Sequence, residues 1–237
     1  MFAPEAVRVK EHYMGATKRP GLLSWQPVYA EIASGGDMGW TTGPWEWRPQ
    51  TAADTPQAYG EYNTIWKRQP DSTWKFVLDF GVAHGPHLIK PPQLSLKALD
   101  FPSEKNRIAT SAAREELIQL EYTFSAASAA EGLTAAYLPR LADDVRMYRM
   151  GQVPLQGVDA ASALLSSVDG VQTWKVQHAD VARNSDLGYT FGVGSLAASH
   201  GISKLSFMHI WRRNAEGLWK LALDVQIPLP TEQEQKP

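Results

Sequence analysis

Cysteine is absent from the 237 residues, which removes disulfides, thiolate nucleophiles and cysteine-based zinc sites together. A basic surplus is absent too: 23 Lys and Arg stand against 25 Asp and Glu, for a net charge of -2. Nothing in that balance neutralises phosphates, so nucleic acid and anionic membrane are not expected as partners. No apolar run approaches the roughly 20 residues that a membrane span needs, and the opening MFAPEAVRVK has no secretory pattern. Glycine-rich phosphate loops, nucleophile elbows and His-Glu-x-x-His patterns are missing as well. His84 and His87 lie among Gly and Pro without nearby carboxylates, so they read as loop histidines, and neither a metal nor a cofactor is expected. A hydrophobic content of 43% with 20% charged residues describes an ordinary soluble globular chain.

What the chain does have is repetition. Trp25 to Gly43 aligns without a gap on Trp174 to Gly192, seven of nineteen positions being identical, and Trp66 to Asp79 aligns on Trp211 to Asp224 with six of fourteen. The period implies a tandem duplication and therefore two domains. The expected boundaries are 1–84 for the first copy, 85–108 for a Pro-rich linker, 109–230 for the second copy and 231–237 for a polar tail. The linker rests on Pro86, Pro91, Pro92 and Pro102.

Ahead of its strands the second copy has helical spacing from Arg114 to Ala130, with Leu117, Leu120, Phe124 and Ala127 on one face and Ser111 as the expected cap. A short helix follows over Leu133 to Leu141, a strand over Val145 to Tyr148, and a helix over Val158 to Ser167 capped by Asp159. The first copy has no counterpart to these helices and opens directly at its first strand. Its native start is thus expected to lie elsewhere, and the compartment stays open between cytoplasmic and exported. Four strands complete the second copy, the last two joined by a hairpin over Asn214 to Gly217, for which Pro70-Asp71-Ser72 is the matching turn in the first.

The strand Gly36-Asp37-Met38-Gly39-Trp40-Thr41-Thr42-Gly43 and the hairpin Trp66-Lys67-Arg68 with Trp74-Lys75 and Asp79, together with helices preceding a sheet, resemble the SnoaL-like branch of the nuclear-transport-factor-2-like superfamily. The resemblance implies an α+β fold of two tandem cone-like domains, each a curved antiparallel sheet wrapped around helices, the first lacking its N-terminal helices. It implies a pocket between sheet and helices. It is nearly silent on function, because members include isomerases, cyclases, dehydratases and transport adaptors. Laid on the second copy, the catalytic positions of the family's ketosteroid isomerases fall on Arg149, near Phe124, and on His209. None of the three roles is preserved, although Tyr122 lies close to the tyrosine position.

Strand alternation sorts the side chains. Trp174, Val176, His178, Tyr189 and Phe191 are expected on the convex side with Trp25, Pro27, Tyr29 and Trp40 of the first copy, while Ala179, Gly188, Thr190 and Gly192 are expected on the concave side. Two convex aromatic faces suggest sheet-to-sheet packing of the copies, or a homodimer. Counting back from the hairpin turn puts Phe207 opposite Asp224 and His209 opposite Ala222, and in the first copy Tyr62 opposite Asp79 and Thr64 opposite Val77. The polar set in the second cone is then His209, Asp224 and Arg149, with Phe124, Thr190, Phe207, Trp211 and Gln226 as further candidate ligand contacts. Tyr62, Thr64 and Asp79 are the parallel set in the first. His209 with Asp224 reads either as a proton-transfer pair or as two buried polar residues satisfying one another. The expected functions are binding of a small, mostly apolar or amphipathic molecule, an enzyme of cyclase, dehydratase or hydrolase type, or a scaffold whose pockets its own side chains fill. Asp143-Asp144 reads as a solvated junction, and Asp37 and Asp186 as turn residues.

Overall fold

Apolar runs bounded by Gly, Pro and Asp turns form two separate sheets in the computed structural model, which describes residues 21–86, 92–100 and 108–230. The first sheet holds β1 (Leu22–Trp25), β2 (Tyr29–Ile32), β3 (Met38–Arg48), β4 (Ala58–Arg68), β5 (Trp74–His84) and β6 (Ser95–Ala98). Its order is β5-β4-β3-β2-β6, with β1 pairing to β3. The second holds β7 (Leu141–Arg149), β8 (Leu155–Gln156), β9 (Val171–Val181), β10 (Leu187–Ala198), β11 (Gly201–Arg213) and β12 (Trp219–Pro228), in the order β8-β7-β12-β11-β10-β9. Together they make two tandem cone-like α+β domains.

The described helices all belong to the second domain: α1 (Thr110–Glu131), α2 (Leu133–Tyr137) and α3 (Val158–Ser167), with a 3-10 turn over Leu138–Arg140. Helix α1 lays Ala113, Leu117 and Phe124 into a core with Trp174, Val181, Phe207 and Trp211. That burial, rather than capping, holds the helix start in place. Ser111 lies inside the first turn, and the capping residue is Ala109, which offers no side-chain hydrogen bond. Asp159 likewise sits in the first turn of α3, behind Gly157. The stretch read as a linker contains β6, which runs parallel to β2 from Ser95 opposite Tyr29 to Ala98 opposite Ile32. Prolines flank the strand rather than interrupting it, so its ladder keeps every donor. His87, Pro91, Pro102 and the tail from Thr231 lie outside the described residues.

Bulges decide which faces point where. Opposite the Phe191/Gly192 step the register of β9 slips at Gln177, so that His178 faces Phe191 while Val176 faces Gly192. An extra residue inverts the alternation. Trp174 and Val176, expected on the convex side, therefore join the core under α1, whereas His178 stacks on Phe191 outside, ring centroids 5.4 Å apart. Gly192 allows the slip: a Cβ there would meet the Lys175 carbonyl oxygen at 2.1 Å, and at the matching position, Gly43, it would meet that of Gln26 at 2.0 Å.

The closing hairpins carry a second bulge, at the same place in both domains. In the second it leaves Ala222 unpaired between Leu221 and Leu223, and in the first it leaves Val77 unpaired between Phe76 and Leu78. The expected pairings are each corrected by two residues, one for the bulge and one because the ladders close at Arg213 opposite Trp219 and Arg68 opposite Trp74. His209 faces Asp224 and Phe207 faces Gln226; Thr64 faces Asp79 and Tyr62 faces Gly81.

One apolar cluster spans the two sheets, joining Tyr29, Trp40, Ile65, Phe80 and Val82 to Tyr148, Tyr189, Met208, Ile210 and Leu223. Around it the polar contacts are reciprocal. Asp186 accepts the Ser34 amide at 2.8 Å, and Asp37 accepts the Arg183 amide at 2.9 Å. Arg212 pairs with Glu31 at 3.1 Å, and Lys67 pairs with Asp180 at 2.5 Å. In the repeat alignment these are the same two contacts made in each direction, which is how a two-fold interface is built. Asp144, read as a solvated junction residue, also bonds Arg212 and lies 3.1 Å from Lys97. Among the described residues no helix is long and apolar enough to cross a membrane.

Candidate functional site

The second cone is threaded by four side chains whose charges alternate in sign. Glu121 comes from α1, His209 from β11, Asp224 from β12 and Arg149 from the end of β7. His209 Nδ1 stands 2.8 Å from Glu121 Oε1, His209 Nε2 stands 3.5 Å from Asp224 Oδ1, and Arg149 Nη2 donates to Asp224 Oδ2 at 2.6 Å. The hairpin register, bulge included, makes this chain possible, because it sets His209 and Asp224 as direct cross-strand partners.

Glu121 is its anchor. Thr190 Oγ1 donates to it at 2.5 Å, Trp211 Nε1 at 2.8 Å and Trp174 Nε1 at 2.7 Å. Buried charges persist only when paired and fully bonded, and here each carboxylate has a cation beside it. Burial alone would push His209 down, but Glu121 and Asp224 on either side of the ring outweigh it and hold the imidazole up at about 9. Burial would likewise raise both carboxyls. The His209 charge outweighs it for Glu121, and Arg149 and His209 hold Asp224 far below the usual carboxylate range. At neutral pH the chain therefore carries two anions and two cations.

The side chains around it fill the depth of the cone. Phe124 meets Tyr137 at 4.5 Å and Trp174 at 4.6 Å between ring centroids, Phe207 lies 4.6 Å from the His209 ring, and Trp211 is fully buried. Toward the mouth, among the described residues, a cavity of about 210 Å³ lies among Leu133, Leu164, Leu165 and Leu205. Of the candidate residues, Arg149 and Gln226 reach its wall. His209 and Asp224 are 1% and 0% exposed, and with Phe124, Thr190, Phe207 and Trp211 they lie behind it. Gln226 donates to the Tyr137 hydroxyl at 3.1 Å and stands 3.4 Å from Asp224, which ties the mouth to the charged chain.

In the first domain the parallel residues make a different site. Thr64 donates to Asp79 at 2.5 Å, Tyr62 packs edge-on against Trp25 at 5.3 Å, and Trp66 Nε1 donates straight to Thr41 at 2.9 Å. Thr41 and Trp66 correspond to Thr190 and Trp211, so Glu121 has been replaced by a direct bond between its two donors. Among the described residues no three His, Asp or Glu gather as a metal site.

Glu121 is the residue that reading by alternation missed. A signal existed: it lies four residues after Leu117 and three before Phe124, a carboxylate in the middle of an apolar helical stripe.

No family model matches the chain, and no curated protein matches it in sequence. Solved structures that resemble it are NTF2-like and ketosteroid-isomerase-like proteins. An NTF2-like protein of unknown function from Pseudomonas putida is 16% identical, covers 55% of this chain and 96% of its own, and superposes with a TM-score of 0.43. A ketosteroid isomerase-like protein from Erwinia carotovora atroseptica is 13% identical, over 49% and 96%, at 0.42. A conserved protein from Planctomyces limnophilus is 20% identical, over 49% and 98%, at 0.41. No activity follows from these likenesses.

Proposed function

We propose that the second domain is a binding module that takes a small, mostly apolar molecule at the mouth of its cone, with the ligand's polar end set against Arg149 and Gln226. The observation that carries this reading is the division of the cone: its depth is closed by aromatic rings around a charge-balanced chain, while its mouth is an open cavity walled mostly by apolar side chains, with Arg149 and Gln226 among the polar groups of the wall. Apolar walls with a few placed polar groups are the usual make-up of a small-molecule site. The chain behind fixes Arg149, since its guanidinium also donates to the Tyr148 and Asp224 carbonyls at 3.0 and 3.2 Å.

An enzyme using His209 and Asp224 for proton transfer needs a substrate within hydrogen-bond reach of one of them, and neither touches the cavity. The scaffold reading fits the depth of the cone and not its mouth. We further read the chain as two copies of one module of the SnoaL-like kind, supported by the aligned segments, the two hairpin bulges at one repeat position and the reciprocal interface contacts.

A thermal-shift screen tests the binding reading. Octanoate, a medium-chain ketone and a sterol are the probes, and at least octanoate should raise the melting temperature of the wild type. That increment should shrink in Arg149→Met and in Gln226→Leu. If none of the three stabilises the wild type, or if both variants keep the full increment, the reading fails.

A further inference from the structure

A larger cleft lies away from the cone, where the β7–β8 pair of the second sheet reaches over the first. Its volume is about 550 Å³, with Trp25, Trp45 and Tyr59 as aromatic walls and Glu61, His84 and Arg146 as its inner polar groups. The asymmetry of the chain creates it, because the first sheet ends at β5 with no such pair beside it among the described residues. The repeat position matching Glu61 is Ser206, so the carboxyl belongs to this cleft alone.

Glu61 is 6% exposed, and His84 Nε2 stands 3.7 Å from its Oε1, longer than a hydrogen bond. Burial pushes its carboxyl up to about 7 against the pull of Arg146. Arg146 is held in place by stacking on the Tyr29 ring, 4.5 Å from the centroid. At the rim, Glu46 is taken by Arg48 at 2.5 Å. Arg146 offsets the charge that Glu61 carries when ionised, so a net cation is not favoured. An acceptor on one side and a guanidinium fork on the other instead match an uncharged edge that presents a donor next to an acceptor, and flat rings on the walls favour a flat body.

We propose that this cleft between the sheets is a second ligand site, one that binds a neutral planar nitrogen heterocycle by stacking on Trp25 and Tyr59 and by bonding a lactam-type N–H and C=O edge to Glu61 and Arg146. It is separate from the cone mouth and does not depend on it.

Quinazolin-4-one supplies that edge without charge, naphthalene has the body without the edge, and benzylammonium has a charge instead. Each is titrated into the full chain, with tryptophan fluorescence and calorimetry as readouts. Quinazolin-4-one should saturate and the other two should not. Replacing the buried carboxyl by Leu (Glu61→Leu), a change that suits an apolar surrounding, should weaken binding about tenfold, as loss of a charge-assisted hydrogen bond does. Trp25→Leu, at an exposed ring, should weaken it severalfold, and Lys204→Met at the cone mouth should leave it unchanged. No saturable binding of quinazolin-4-one overturns the proposal, as do equal binding of naphthalene or benzylammonium and unchanged binding in both Glu61→Leu and Trp25→Leu. Loss in Lys204→Met would assign the ligand to the cone mouth and overturn it as well.

Discussion

At the scale of single residues, Glu121 carries more of the second domain than any position named from the sequence. Four donors converge on it, so changing it to Gln removes the charge that His209 answers and forces a donor group among donors. Breaking a buried pair on one side costs about 3–5 kcal/mol, and Glu121→Gln should lose stability in that range by urea unfolding. The pH dependence follows from the same contacts. His209 is held at about 9, above its unfolded value near 6.5, so its contribution is complete below that unfolded value and is lost as the pH rises through 9. Glu121 and Asp224 are held low, so theirs is present above the ordinary carboxylate range and is lost on acidification. The stability difference between wild type and His209→Gln, measured by urea unfolding across the range, should therefore shrink between pH 7 and 10. A difference that stayed flat there would show that the imidazole is neutral.

At the scale of elements, the strands were legible and their registers were not. The repeats place β3, β4, β5 and their partners β10, β11 and β12 because identical Trp, Gly and Asp residues recur at one spacing. Both hairpins, however, hide an extra residue, Val77 and Ala222. Since the two copies share the bulge, their alignment stays gapless and gives no sign of it. Counting from the turn then lands two residues away from the true partner, one for the bulge and one for the place where the ladder closes. Helix α1 was legible from its apolar stripe, while the acid within that stripe, Glu121, was not singled out. Strand β6 was concealed by the prolines around it, and it forms because its edge pairs with β2. The bulge in β9 gives this scale its test. Gly192→Ala sets a methyl 2.1 Å from the Lys175 carbonyl, a clash with backbone that no rotamer relieves, and it should cost about 2 kcal/mol or more by chemical denaturation. A cost within a few tenths would mean that β9 is straight at this point.

At the scale of the whole molecule, the sheets meet across one apolar cluster edged by two pairs of reciprocal contacts. The mouth of the second cone lies outside that cluster, with Met150 of its wall accepting the Ala83 amide of the first domain at 3.4 Å. The central claim is that a ligand rests in that mouth and leaves the depth of the cone untouched. Methyl NMR of the full chain with octanoate measures this most directly. The account predicts shifts for Leu133, Leu164, Leu165 and Leu205 around the cavity, with Leu117, Leu221 and Leu223 still; shifts centred on the deep methyls, or none at the mouth at saturating octanoate, would contradict it.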